Sequence, residues 1–324
     1  MRPAGWTTVR RWRTGVILAA VATLLVQAAP GNATGTGEAT YNVWHWNVAG
    51  NTLHAGSVTD GMIDGAVASI RNRGADLVSF NEICFGQYRA IQDRLTSAGW
   101  PQDPTSFSRF AATRDVDPGI CDGGETFGLA LFSKQPLGNS NQYVLPWDGK
   151  KGSRKMLCAP LRDTPRMRFC TVHITTSNAL TDGVPDNVRQ LDAVRGVLDS
   201  FDAAGDTYLI AGDFNAQPNY GRMNAYYAPS ADTPNNPGNT GSHRELDDDD
   251  PAHCPGYGEH TVETAGSPGP PCGAYPKIDQ IFVRESRIAG PYSADSLAIG
   301  ASCAGGAPCS DHRILTGTAR VSTG

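Results

Sequence analysis

Basic residues are scarce in this chain: 27 Lys and Arg stand against 32 Asp and Glu, a formal charge of −5. That balance excludes a generic basic coat for gripping nucleic acid and leaves room only for a local cationic groove. Charge of either sign is sparse at 18 %, whereas 40 % of the residues are hydrophobic. A disordered chain is thereby excluded, and there is enough apolar material for a full-sized core. Apart from residues 15–29, no apolar run approaches bilayer-spanning length, which excludes a polytopic membrane protein. No internal repeat is visible. None of the eight cysteines forms a C-x-x-C pair, which disfavours a zinc site.

What is present starts at the N-terminus. Arg2, Arg10, Arg11 and Arg13 precede the apolar run, and a stretch of small residues ends at Ala33. This is the layout of a secretory signal peptide over residues 1–33, and Arg13 disfavours the twin-arginine variant. Residues 34–40 read as a disordered segment and 41–324 as one domain. Removing the four arginines leaves a charge of about −9. All eight cysteines survive, and in an exported chain they read as disulfides. Local spacing suggests Cys84 with Cys121, Cys158 with Cys170, Cys254 with Cys272, and Cys303 with Cys309.

Strand-type and helix-type segments alternate along the domain. Residues 41–48 are β-branched and aromatic, as a core strand should be. Met62, Ile63, Ala66, Val67 and Ile70 mark one helix face, with Thr59 or Asp60 as its cap and Gly74 as its stop. Tyr88, Ile91 and Leu95 mark a second helix. Asp186 caps a third that turns Leu191, Val194 and Leu198 inward. Further strands are expected at 76–82, 127–133, 155–161, 166–174, 206–212, 278–283 and 313–319. Residues 228–275 lose all periodicity and read as a long surface loop stapled by Cys254–Cys272. The run Asp247 to Asp250 within it reads as a solvated turn, with a structural Ca²⁺ site as the alternative. The expected architecture is α+β: two packed mixed sheets flanked by helices.

Polar groups stand at the margins of these apolar strands: Asn47, Glu82, His173, Asp213, Asp279, and the pair Asp311 and His312. Singly, each has a bland reading as a turn or cap residue. Together they are oxygen-rich. The carboxylates of Glu82 and Asp311 and the amide of Asn47 suit Mg²⁺ or Mn²⁺. Two imidazoles, and two aspartates to orient them or polarise a water, complete what phosphoester hydrolysis needs.

The pieces WNVAG, NE, VHIT, GDFN, KIDQIFV and SDH occur in this order. The chain therefore resembles the endonuclease/exonuclease/phosphatase superfamily, the pancreatic-type deoxyribonuclease fold, over about residues 40 to 320. The resemblance implies a four-layered sandwich with the site at the sheet edges. It implies metal binding by Asn47, Glu82 and Asp311, and His312 as general base oriented by Asp279. Asp213 would position the attacking water or a second metal, and Asn215 would hold the scissile phosphate. His173 would contact the phosphate or protonate the leaving group, and Arg154 would bind phosphate. His45, turned the same way as Asn47 by strand alternation, reads as structural.

The shared chemistry of this family leaves the substrate open. The first reading is a secreted, monomeric nuclease acting on DNA and also RNA, with Arg109, Arg114, Lys150, Lys151, Arg154 and Lys155 as a cationic rim. Scattered solubilising charges are the alternative reading of those six. A secreted sphingomyelinase or phospholipase would want an exposed aromatic tip, for which Trp147 is the isolated candidate. A small-molecule phosphatase, such as one for inositol phosphates, and a non-catalytic binding module come lower. No stable membrane insertion is expected after signal cleavage.

Overall fold

Alternation along the first strand sets the layering. In β1 (Glu38–Asn47), Trp44 and Trp46 turn one way and join a cluster with Met62, Ile70, Phe80, Ile91 and Leu95. Tyr41 and Val43 turn the other way and join Leu131, Leu157, Phe169, Leu209 and Ile281. The first cluster lies between a sheet and two helices, and the second lies between the two sheets. The structure is a computed structural model that describes residues 37–323, apart from residues 51, 115–119, 151, 264–271, 299–302 and 307. The signal-peptide expectation for residues 1–33 lies outside the described residues.

The remaining strands are β2 (Leu77–Cys84), β3 (Ser108–Arg114), β4 (Phe127–Ser133), β5 (Asn141–Val144), β6 (Lys155–Leu161), β7 (Thr164–His173), β8 (Leu180–Thr181), β9 (Val184–Pro185), β10 (Thr207–Asp213), β11 (His243–Glu245), β12 (Asp279–Arg284), β13 (Ile288–Leu297) and β14 (Ile314–Ser322). One six-stranded sheet runs β13-β14-β1-β2-β4-β3 and the other β11-β12-β10-β7-β6-β5. The pairs β1–β2 and β7–β10 are parallel and all other pairs antiparallel, so both sheets are mixed. The helices are α1 (Met62–Asn72), α2 (Phe85–Ser97), the single turn α3 (Pro104–Phe107) and α4 (Asp186–Ala203). α1 and α2 cover the first sheet. α4 covers the second through Leu191, Val194, Leu198 and Phe201. The expected four-layer α+β sandwich is therefore the observed one.

All four disulfides pair as the spacing suggests. No cysteine is left free, so no thiolate remains for zinc. Among the described residues no helix is long and apolar enough to cross a membrane.

Some expectations need correction. The strand assigned to 41–48 starts at Glu38, inside the segment read as disordered. Asp186 does not cap α4 but lies inside it, where its carboxylate accepts bonds from Ser177 and Thr181. Residues 228–275 are not a plain surface loop, because β11 pairs with β12 and forms an edge of the second sheet. Nor is Asp247 to Asp250 a solvated turn, since only Asp249 is exposed. Asp247 Oδ2 accepts from Lys277 Nζ at 2.8 Å, and Glu245 Oε2 lies 3.3 Å from the same ammonium. All three side chains are fully buried. Asp248 accepts two bonds from Arg244, at 2.7 and 2.8 Å. Lys277 and Arg244 neutralise Asp247 and Asp248, so the expected structural calcium has no unpaired carboxylates at these two positions.

Candidate active site

The parallel pairs deliver their C-terminal ends to one margin. Asn47 pairs with Asn81 across β1 and β2. Asp213 pairs with His173 on one side and with Asp279 on the other. His312 reaches the same margin from the segment before β14, held by a bridge to Val262. Two local devices sharpen this placement. The register of β2 against β4 shifts between Phe80 and Ile83, and Glu82 within the bulge takes φ 56°. A left-handed non-glycine residue costs about 1–3 kcal/mol and persists where its surroundings enforce it. Here Gly50 N donates to Glu82 O at 2.8 Å. On β10, a Cβ at Gly212 would lie 2.3 Å from Val172 O, so only glycine lets β7 and β10 close up beside Asp213.

The polar side chains form one connected chain of contacts. Asp279 Oδ2 accepts from His312 Nδ1 at 2.8 Å, and its Oδ1 lies 3.3 Å from His45 Nε2. His45 Nδ1 in turn meets Ser79 Oγ at 2.8 Å. His312 Nε2 is thereby aimed at Asp213 Oδ2, 3.9 Å away. His173 Nε2 lies 3.4 Å from the same oxygen and 3.8 Å from Glu82 Oε1. Asn81 ties the two sheets together: its Oδ1 accepts from Asp213 N and its Nδ2 donates to Thr171 Oγ1.

Burial and charge decide the protonation states. Desolvation pushes the Asp213 carboxyl up to about 7. Asp279 stays well below the usual carboxylate range, because the neighbouring imidazoles His312 and His45 outweigh its burial. His312, facing Asp279, Asp213 and Asp311, is pushed up to about 10 against its own desolvation. His173 moves the opposite way despite its two acidic neighbours: burial, aided by Arg154, holds it well below an ordinary imidazole and keeps it neutral. Burial also raises Glu82.

Of the three expected metal ligands, Glu82 and Asp311 act electrostatically on each other. Asn47 contributes differently. Its Nδ2 donates to Asp213 Oδ2 at 3.1 Å and faces Glu82 Oε1 at 3.4 Å, while its Oδ1 accepts from Ala49 N. In this state Asn47 is a donor to two carboxylates, and its oxygen is turned away from them. The oxygens of Asp213 and Asp279 and a ring nitrogen of His312 lie within 4.8 Å of one another. Among the described residues, no Lys or Arg forms an ion pair with Glu82, Asp213, Asp279 or Asp311; the basic groups nearest the first three are the rings of His45, His173 and His312. A set of oxygen donors with so little positive charge fits a hard divalent cation.

A cleft of about 140 Å³ opens beside Glu82 and His173, lined also by Asp148, Lys150, Ser153 and Arg154. Two of the six rim cations, Lys150 and Arg154, are therefore in place. Arg109 is not, because its guanidinium is spent on the carbonyls of Thr105, Leu137 and Gly138. Lys155 faces Gln142. Lys151 and the side chain of Arg114 lie outside the described residues. Asn215 sits just beyond β10 with φ 47°. Its backbone N–H bonds Asp213 and its side-chain amide donates one hydrogen to Ile174 O at 2.8 Å, which leaves the second amide hydrogen for a phosphate. Sequence reasoning missed Asn81 as a tie between sheets. It also missed Thr261, whose hydroxyl accepts the N–H groups of Ile278 and Asp279. Alternation from Asn47 could have flagged Asn81, but nothing in the sequence marks Thr261.

Residues 39–312 match the endonuclease/exonuclease/phosphatase family. None of the curated proteins compared matches the sequence. Among solved structures, an endonuclease/exonuclease/phosphatase from Beutenbergia cavernae is 20 % identical with a TM-score of 0.57, covering 87 % of this chain and 72 % of that one. The human Nocturnin catalytic domain with bound sulfate is 16 % identical with a TM-score of 0.57, covering 87 % and 93 %. D. rerio TDP2 complexed with a single-strand DNA product is 15 % identical with a TM-score of 0.54, covering 87 % and 98 %. At these identities the likeness is one of fold.

Proposed function

The chain belongs to the endonuclease/exonuclease/phosphatase family, and on that premise we propose that it is an exported, monomeric, divalent-metal-dependent phosphodiesterase that hydrolyses nucleic acid. The observation that carries the reading is the Asp279–His312–Asp213 line of contacts beside a cleft that holds Glu82, His173 and Arg154. Four disulfides support export. The nucleic-acid assignment draws on TDP2, which is described with a single-strand DNA product.

Glu82 and Asp311 would hold the metal (Mg²⁺ or Mn²⁺), with Asn47 beside them. When bound, the cation neutralises charge on the phosphate and opposes the pull of the carboxylates on His312. Asp279 fixes the ring of His312 through Nδ1, which leaves Nε2 to face a water. A water between His312 Nε2 and Asp213 Oδ2 loses its proton to this pair as its oxygen attacks phosphorus; the P–O bond to the leaving group breaks and the leaving oxygen takes a proton from solvent. Asp213, with a value near neutrality, is suited to share the proton lost by the water. His173, held neutral, donates a hydrogen bond to a phosphate oxygen, which favours phosphate contact over leaving-group protonation. Arg154, which lines the cleft and is held by Asp148 at 3.6 Å, supplies positive charge to a bound phosphate. The second amide hydrogen of Asn215 holds a phosphate oxygen.

The test offers the purified mature protein, with Mg²⁺, single-stranded and duplex DNA, RNA, sphingomyelin vesicles and a phosphorylated sugar alcohol. Cleavage of a polynucleotide is the expected outcome. Intact polynucleotide beside rapid lipid or monoester hydrolysis would overturn the assignment.

A further inference from the structure

The cleft has an aromatic neighbour that the mechanism leaves unused. The connection from β5 to β6 is closed by Leu145 N donating to Arg154 O at 2.9 Å. β6 pairs with β7 so that Met156 opposes Val172, which places this loop at the end of β7 that carries His173. Asp148, Lys150, Ser153 and Arg154 of the loop line the cleft. Trp147, immediately before Asp148, is 69 % exposed. The tryptophans at 44, 46 and 100 are all buried.

Trp147 is not a loose side chain. Its indole N–H donates to Lys150 O at 3.1 Å, and Lys150 N donates to Asp148 Oδ1 at 3.1 Å. Pro146 O is fixed by Gln190 Nε2 at 2.8 Å. An indole tethered through its edge and largely open to solvent is preorganised to stack. Lys150 Nζ, bonded to Thr176 Oγ1 at 3.3 Å, is a cation carried by the same loop. Trp147 is flanked by Asp148, Gly149 and Lys150 with no second aromatic, the wrong make-up for a bilayer wedge.

We propose that Trp147 is a stacking platform for an unpaired base flanking the scissile phosphate, with Lys150 meeting the next phosphate, so that the enzyme selects single strands over duplex. This rests on the nuclease reading above and specifies its substrate. Bases in a duplex are already stacked and do not present a face, whereas every base of a single strand does. A net charge of −5 gives the chain little long-range attraction for a duplex backbone.

The experiment measures KM and kcat with Mg²⁺ for a fluorescent oligonucleotide, single-stranded and annealed, in wild type, Trp147→Ala and Trp147→Phe. Wild type is expected to favour the single strand by roughly tenfold or more in kcat/KM. Trp147→Ala is expected to raise the single-strand KM by about 5- to 100-fold, keep kcat within about twofold, and erase the preference. Trp147→Phe keeps a π face and is expected to recover most of the loss. Thermal melting of each variant confirms that it is folded. An unchanged KM in Trp147→Ala, or equal impairment in both variants, would overturn the stacking role while leaving the nuclease reading intact. Wild-type inactivity on both nucleic-acid forms would overturn the nuclease reading and this inference with it.

Discussion

Changing Asp279 to asparagine keeps the shape of the side chain and deletes its charge. In the wild type this fully buried carboxylate accepts from His312 Nδ1 at 2.8 Å and lies 3.3 Å from His45 Nε2. A buried hydrogen bond to a charged group contributes about 1.5–3 kcal/mol. In a domain of this size, that loss lowers the melting temperature by about 3–10 °C. The catalytic cost is larger. An amide can turn its NH₂ toward the imidazole, which favours the ring tautomer with a bare Nδ1 and removes the proton acceptor at Nε2. The equivalent carboxylate-to-amide change behind the histidine of a serine protease costs about 10⁴ in kcat. We therefore expect Asp279→Asn to lower kcat on a single-stranded oligonucleotide by about a thousandfold or more, with KM little changed. Gel-resolved cleavage at saturating substrate measures this, and a thermal melt shows that the variant is folded. A folded variant with kcat within about tenfold of wild type would refute the claim that Asp279 acts by orienting His312.

Two predictions concern stability. Lys277→Met strands the buried carboxylates of Glu245 and Asp247, which breaks a buried pair from one side and is expected to cost about 3–5 kcal/mol in urea unfolding; an unchanged midpoint would show that the cluster is not needed. His243 is bonded to Tyr208 and Tyr226, and burial pushes it down to about 4. Because that value lies below the ordinary 6.5, the unfolded chain takes up a proton first. Stability from this residue is complete above about pH 6.5 and falls by about 3 kcal/mol as pH drops through 4. Urea midpoints at pH 7 and pH 4.5 should therefore converge in His243→Gln relative to wild type, and identical slopes would remove His243 from the account.

Much of the site was legible because each residue lies at the margin of an apolar strand. Asn47, Glu82, His173 and Asp213 lie at or near the C-terminal ends of strands that pair in parallel, and Asp279 opens β12, which runs antiparallel to β10, so all five reach one margin. The disulfides were legible because three of the four close short local segments. What stayed hidden depends on partners distant in sequence. Asp247 looks solvated until Lys277, thirty residues on, is folded against it. The bare side-chain inventory made Asn47 an oxygen ligand, but its amide orientation follows from Ala49 N on one side and Asp213 on the other. His45 faces the same way as Asn47, as strand alternation suggested, yet its bond to Asp279 could be seen only once the sheets were stacked. β11 escaped notice because three residues, His243–Glu245, cannot display a period.

The central claim is that oxygen donors at the sheet margin hold a divalent cation for phosphodiester hydrolysis. Its most direct test is the rate of oligonucleotide cleavage with Mg²⁺, with Mg²⁺ and excess chelator, and with Mg²⁺ in Glu82→Gln. The account predicts that chelator abolishes cleavage, that added Mg²⁺ restores it, and that folded Glu82→Gln loses about a hundredfold or more in kcat. Undiminished cleavage in excess chelator, or near wild-type turnover in Glu82→Gln, would contradict it.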